Sequence, residues 1–163
     1  QKCDTLIIGG AMANTFLRAQ GKNTQSSRIE EDKLALARTI LEKARAKNVE
    51  VLLPVDVVVA KSLEATEGQT VSVDAIPEGT MALDIGPKSV DLFSKAIVKA
   101  KTVLWNGPMG LFETAAFSKG TFAIAEVMSN ASGFTVVGGG ASLELIEGKK
   151  LPGVEALRTT EVH

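Results

Sequence analysis

Glycines in this 163-residue chain gather where short apolar runs end. Gly9-Gly10 follow Leu6-Ile7-Ile8, Gly86 follows Met81 to Ile85, Gly107 and Gly110 follow Thr102 to Trp105, and Gly138-Gly139-Gly140 follow Phe134 to Val137. Each of these four loops leads toward a segment with helical periodicity. Glycine lets backbone N–H groups approach an anion closely, and the N-terminus of a following helix adds positive potential. One helix end contributes about 0.3–1 kcal/mol toward holding a negative charge, so several converging ends suit a polyphosphate. The expected place is the crevice outside the carboxyl ends of a parallel sheet. A single such glycine can do no more than permit a tight turn. Four loops together favour phosphate handling.

Other chemistries lack their residues. No G-x-x-x-x-G-K-[ST] occurs, and Gly107-Pro108-Met109-Gly110 is not the G-x-G-x-x-G dinucleotide fingerprint. His163 is the only histidine and Cys3 the only cysteine, which leaves nucleophilic triads, histidine metal sites and an internal disulfide framework without support. Lysine and arginine number 18 against 19 aspartates and glutamates, so no broad positive field exists to attract nucleic acid or an anionic membrane. No apolar run approaches the ~20 residues of a membrane span, and Gln1-Lys2-Cys3-Asp4 has no signal-peptide pattern. We therefore expect a start internal to a longer chain, and a reducing cytoplasm.

The elements that would position these loops alternate between apolar runs and helical stripes. Strands are expected at Leu6 to Ile8, within Val49 to Val59, at Met81 to Ile85, Thr102 to Trp105 and Phe134 to Val137, in a buried parallel sheet. The spacing predicts a helix from Ser27, with Ser27 and Glu30 as a capping box and Ile29, Leu34, Ala37, Leu41 and Ala44 on one face. A second starts near Pro87 and carries Val90, Phe93 and Ile97. A third runs from about Ala115 to Ser129, with Phe117, Thr121, Ile124 and Met128 facing the core. Lys61 to Gln69 reads as a surface connection before a small strand at Thr70 to Val73. With 45% hydrophobic residues, the composition suits one globular domain over residues 1–163. Its expected architecture is α/β: Rossmann-like and three-layered, an open, mainly parallel sheet with helices on both faces.

Several segments together resemble the phosphoglycerate kinase family. They are Leu6-Ile7-Ile8-Gly9-Gly10-Ala11-Met12-Ala13, Leu53-Pro54-Val55-Asp56, Asp84-Ile85-Gly86-Pro87-Lys88, and Val103-Leu104-Trp105-Asn106-Gly107-Pro108-Met109-Gly110-Leu111-Phe112-Glu113. Gly138 to Gly148 and Leu151-Pro152-Gly153-Val154 resemble the family's last helix and closing segment. The resemblance implies reversible phosphoryl transfer between 1,3-bisphosphoglycerate and ADP, with Mg2+, in a cleft between two α/β domains. This chain resembles the nucleotide-binding half, so 3-phosphoglycerate is reached only through an absent N-terminal domain. The parent is expected to be monomeric.

The resemblance carries the nucleotide site onto Gly10 and Ala11, Ala82 and Leu83 beside the base, and Asn106, Pro108, Gly110 and Leu111 around base and phosphates. Glu113 matches the carboxylate that grips the ribose hydroxyls, a role suited to charge-assisted hydrogen bonds. Gly139 and Gly140 are candidate nucleotide-binding and catalytic backbone donors. Lys88, near a helix start, reads as a solvated surface lysine.

Three departures accompany the match. The chain begins after the family's first strand and its phosphate-contacting lysines. The family's two triple-glycine loops are fused at Gly140-Ala141, which removes the aspartate linked to magnesium and leaves no metal ligand here. Arg28 stands where the family commonly has an apolar residue against the adenine face, and Ala11 replaces a glycine. The expectation is an incomplete nucleotide domain that is inactive by itself; a stand-alone nucleotide-binding module and an inert fragment are the alternatives.

Overall fold

The computed structural model describes residues 3–138. The first strand, β1 (Thr5–Ile7), runs into α1 (Gly10–Ala19), and α2 (Leu34–Ala46) returns the chain to β2 (Glu50–Leu52). β2 lies parallel to β1, pairing Thr5 with Glu50 and Ile7 with Leu52. α1 and α2 pack on each other, and Ala13, Phe16, Ala19 and Ala37 bury against Ile8 and the β1–β2 pair.

The next strands are β3 (Asp56–Ala60), β4 (Gln69–Ser72) and β5 (Met81–Ile85), joined in the order β4-β3-β5. Both pairings are antiparallel, so the expectation that the 49–59 and 81–85 runs lie parallel in one sheet is corrected. The apolar run could not reveal this, because β3 and β5 are largely buried, as strands of a parallel sheet are, and burial does not encode direction. Within the run from Val49 to Val59, Pro54 separates β2 from β3, and the two belong to different sheets.

α3 (Pro87–Lys99) begins with proline in its first turn and buries Phe93 and Ile97. It leads to β6 (Thr102–Asn106), then α4 (Lys119–Asn130) and β7 (Phe134–Gly138). β7 runs parallel to β6, and its last residue, Gly138, sits opposite Asn106. α3 and α4 pack together over a core of Ile85, Phe93, Ile97, Met109, Ile124 and Met128. The architecture is α/β as expected, with parallel and antiparallel pairings side by side. Among the described residues no helix is long and apolar enough to cross a membrane.

Two helix starts differ from the sequence reading. α2 starts at Leu34 after a 3-10 turn at Glu31–Lys33, not at Ser27. The intended capping box is dismantled by tertiary contacts: Ser27 Oγ accepts the Ala82 N–H at 2.9 Å, and the Glu30 N–H donates to Thr15 Oγ1 at 3.1 Å. Ala37 and Ala44 still form the buried face. Similarly, Ala115–Phe117 is a separate 3-10 turn before α4. Phe117 is buried with Ala60 and Leu83, whereas Ile124 and Met128 join the core beneath α3.

Candidate functional site

A cleft of about 890 Å³ opens between the start of α1, the β5 edge and the loop that follows β6. Gly10, Ala11, Ala82, Leu83, Asn106, Pro108, Gly110, Leu111 and Glu113 all line it. Every described residue of the sequence-derived site therefore comes together, although these residues span more than a hundred positions of sequence. Gly139 and Gly140 lie outside the described residues.

At one end, Gly9 is the N-cap of α1 and brings no side chain to close the first-turn N–H groups. Gly10 adopts φ +63, its N–H donates to Met109 O at 3.0 Å, and a Cβ there would stand 2.8 Å from Pro108 O. Only glycine meets both demands without strain. Main-chain bonding thus locks the start of α1 to the 107–110 loop and leaves its positive end facing the cleft.

The 107–113 loop is pinned along its length. Met109 N–H donates to Thr121 Oγ1 at 3.0 Å, and Leu111 N–H to Leu83 O at 2.8 Å. The second bond sets Leu111 beside the buried Leu83, an apolar wall for one part of the cleft, which the half-buried Ala82 also lines. Glu113 and Asn106 are solvent-exposed at its border.

Asp84 was not singled out by sequence reasoning as a site residue, yet it also lines the cleft. It is 4% exposed; its Oδ2 accepts the Gly120 N–H at 2.8 Å and its Oδ1 the Ile85 N–H at 2.8 Å. Burial pushes its carboxyl up from 3.8 to about 6, against the opposite pull of those two N–H donors. An aspartate inside the apolar run Met81 to Ile85 was the available signal.

The glycine loops do not all reach this place. Gly86 does not line the cleft, and the helix it precedes is closed by protein: Asp56 Oδ2 accepts the Lys88 N–H at 3.0 Å and Oδ1 the Ser89 N–H at 2.7 Å. The Gly9–Gly10 and Gly107–Gly110 loops share the cleft, and Gly139 and Gly140 of the fourth loop lie outside the described residues. Lys88 is exposed and contributes its backbone to Asp56.

No group of three or more His, Cys, Asp or Glu side chains comes together among the described residues. Asp84 has both oxygens engaged. These residues do not by themselves make a Mg2+ site.

Comparison with known proteins follows the same geometry. The sequence profile described as "Phosphoglycerate kinase" matches residues 1–154. A phosphoglycerate kinase of Prosthecochloris aestuarii is 48% identical over 183 residues, covering 96% of this chain and 46% of that protein. One from Clostridium novyi is 49% identical over 181 residues, with the same coverage. The solved phosphoglycerate kinase of Coxiella burnetii superposes with a TM-score of 0.83 at 36% identity, over 96% of this chain and 46% of that one. The chain spans about half the length of the curated relatives it matches. Match, fold and motif order agree: the chain belongs to the phosphoglycerate kinase family.

Proposed function

We propose that the cleft binds ADP or ATP and that this chain is the nucleotide-binding half of a phosphoglycerate kinase. The carrying observation is that one cleft joins an uncapped helix N-terminus, locked open by Gly10, to the apolar wall of Leu83 and Leu111. The first suits phosphate groups and the second a purine. Glu113, at the border, accepts the ribose hydroxyls, and Asn106, Pro108 and Gly110 complete the surroundings of base and phosphates. Gly139 and Gly140 would add backbone donors to the transferring group.

The parent reaction is reversible phosphoryl transfer between 1,3-bisphosphoglycerate and ADP, giving 3-phosphoglycerate and ATP. Phosphoryl transfer depends chiefly on positioning and on stabilising the developing charge. The start of α1 holds and orients phosphate here, while the acceptor comes from a second domain. Mg2+ carried by the nucleotide would neutralise phosphate charge; the described residues supply no ligand set for it. The alignment with the Prosthecochloris protein extends over 183 residues although this chain has 163, so the relative carries residues that this chain lacks. That supports reading residues 1–163 as an incomplete nucleotide domain, whose own activity is binding. A cytoplasmic monomer as parent belongs to the same reading.

Titration of ADP against wild type and Glu113→Ala tests the site. Losing charge-assisted hydrogen bonds to the ribose should weaken binding by about 1.5–3 kcal/mol. Equal affinities would reject the ribose assignment.

A further inference from the structure

Thr121 lies in the first turn of α4, is 7% exposed and does not line the cleft. Its hydroxyl nevertheless heads a short bonded chain that reaches the cleft. Thr121 Oγ1 accepts the Met109 N–H at 3.0 Å, and Met109 O accepts the Gly10 N–H at 3.0 Å. The main chain of Met109 thereby joins the first turn of α4 to the first turn of α1. The methionine side chain reinforces the link, since a Cβ on Gly9, the N-cap of α1, would collide with Met109 Sδ. Met109 is buried and packs with Ile85 and Ile124, so removal of the hydroxyl leaves its N–H with neither water nor another acceptor. A peptide that turns to satisfy that N–H carries its carbonyl away from Gly10.

The opposite wall of the cleft is held by other bonds. Leu111 N–H donates to Leu83 O at 2.8 Å, and Gly120 N–H donates to Asp84 Oδ2 at 2.8 Å. Neither bond passes through the Thr121 hydroxyl. Two consecutive residues of α4 therefore serve two different parts of the site: Gly120 closes on β5 beneath the apolar wall, whereas Thr121 acts through Met109 on the glycine turn at the start of α1.

We propose that Thr121 is a positioning residue for the phosphate end of the nucleotide: through Met109 it fixes Gly10, and with Gly10 the direction in which the N-terminus of α1 points. This rests on the nucleotide reading given above. Helix N–H groups hold an anion only when they are aimed at it, and donors fixed beforehand need no ordering when the anion arrives. Released from Met109, Gly10 regains the conformational freedom of glycine and must be ordered again at each binding event. The base and ribose, seated against Leu83 and Leu111, bear no such cost.

Calorimetric titration of the purified protein with ADP, and with adenosine as its competitor, for wild type, Thr121→Val and Thr121→Ser, separates the two ends of the site. Valine keeps the branched shape and removes the hydroxyl, whereas serine keeps the hydroxyl. Thr121→Val should weaken ADP binding about two- to fivefold, the share that one helix end contributes, and leave adenosine unchanged. Thr121→Ser should restore the wild-type ADP value. Thr121→Ala, which also lacks the hydroxyl, takes the place of valine should circular dichroism show that Thr121→Val does not fold. A role confined to stability would lower the unfolding midpoint yet leave the ADP-to-adenosine ratio untouched, and that result overturns the proposal. Equal weakening of both ligands, or no recovery with serine, overturns it as well. If wild type does not bind ADP, the reading of the cleft falls together with the proposal; ADP binding in wild type with an unaltered ratio in the variants removes the role of Thr121 alone.

Discussion

α1 and α3 each follow a β-strand through glycine, and they use that arrangement in opposite ways. At α1, Gly9 caps without a side chain, Gly10 takes a left-handed φ of +63, and the positive end faces a cleft. At α3, Gly86 has an ordinary φ of −84, and its lack of a side chain makes room for the Asp56 carboxyl group. That carboxylate accepts the N–H groups of Lys88 and Ser89 and the Ser89 hydroxyl. The same short sequence pattern thus yields one open anion site and one end already closed by the protein's own anion. A glycine before a helix becomes informative about ligand binding only once the nearest carboxylate has been located.

The comparison breaks most sharply at Asp56. Replacing it with alanine removes the cap of α3 and leaves the buried Ser89 N–H without its acceptor, while the Ser89 hydroxyl keeps the backbone oxygen of residue 56. The expected loss is about 2–4 kcal/mol, combining a lost N-cap with unsatisfied buried groups. Urea unfolding monitored by circular dichroism should show a lower midpoint at unchanged slope. ADP affinity of the remaining folded protein should be unaltered, since Asp56 does not line the cleft. A large loss of affinity at unchanged stability would mean that α3 and not α1 holds the phosphate.

Gly10→Ala probes the open end. A side chain there must tolerate positive φ and a backbone oxygen of Pro108 at 2.8 Å. The cost should be about 1–3 kcal/mol of stability, as for other non-glycine residues forced into left-handed backbone. Here ADP affinity should fall as well, because displacement of the 107–110 loop alters the cleft. Wild-type ADP binding in a destabilised Gly10→Ala protein would show that the Gly10 turn is scaffold alone.

Much of this contrast was legible in the chain itself. β1, β5, β6, β7 and α3 follow their apolar periodicity, and the nine described residues that motif resemblance named all line the cleft. What escaped was decided at long range. Ser27 and Glu30 satisfy every local rule for a capping box, yet their hydrogen-bonding groups are taken by Ala82, which is 55 residues away, and by Thr15. The antiparallel pairing of β3 with β5 was hidden because an apolar run buried on both faces reads alike in either orientation. Asp56 and Asp84 stood in plain view as charges within apolar strands. Their partners, helix N–H groups 32 and 36 residues onward, could not be read from spacing.

α4 offers an intermediate case and the smallest predicted effect. Its second residue, Gly120, donates to Asp84, so this end is closed by a carboxylate as at α3, but by one whose ionisation burial opposes. With the carboxyl raised from 3.8 to about 6 in the folded protein, the folded state binds the proton more tightly than the unfolded chain does. The stability that protonation contributes is then fully present below about pH 4 and is lost as pH rises through about 6. Asp84→Asn preserves the shape and cannot titrate, while the remaining carboxylates titrate alike in both proteins and cancel in the difference. The stability of wild type relative to Asp84→Asn, from urea unfolding at intervals between pH 4 and 8, should therefore decline across that window and level off above it. An advantage that grows with rising pH would show that the Gly120 and Ile85 donors outweigh burial, and α4 would then be closed as firmly as α3. A flat difference would place the Asp84 titration outside the window altogether, and the buried carboxylate beside the cleft would carry no linkage to pH.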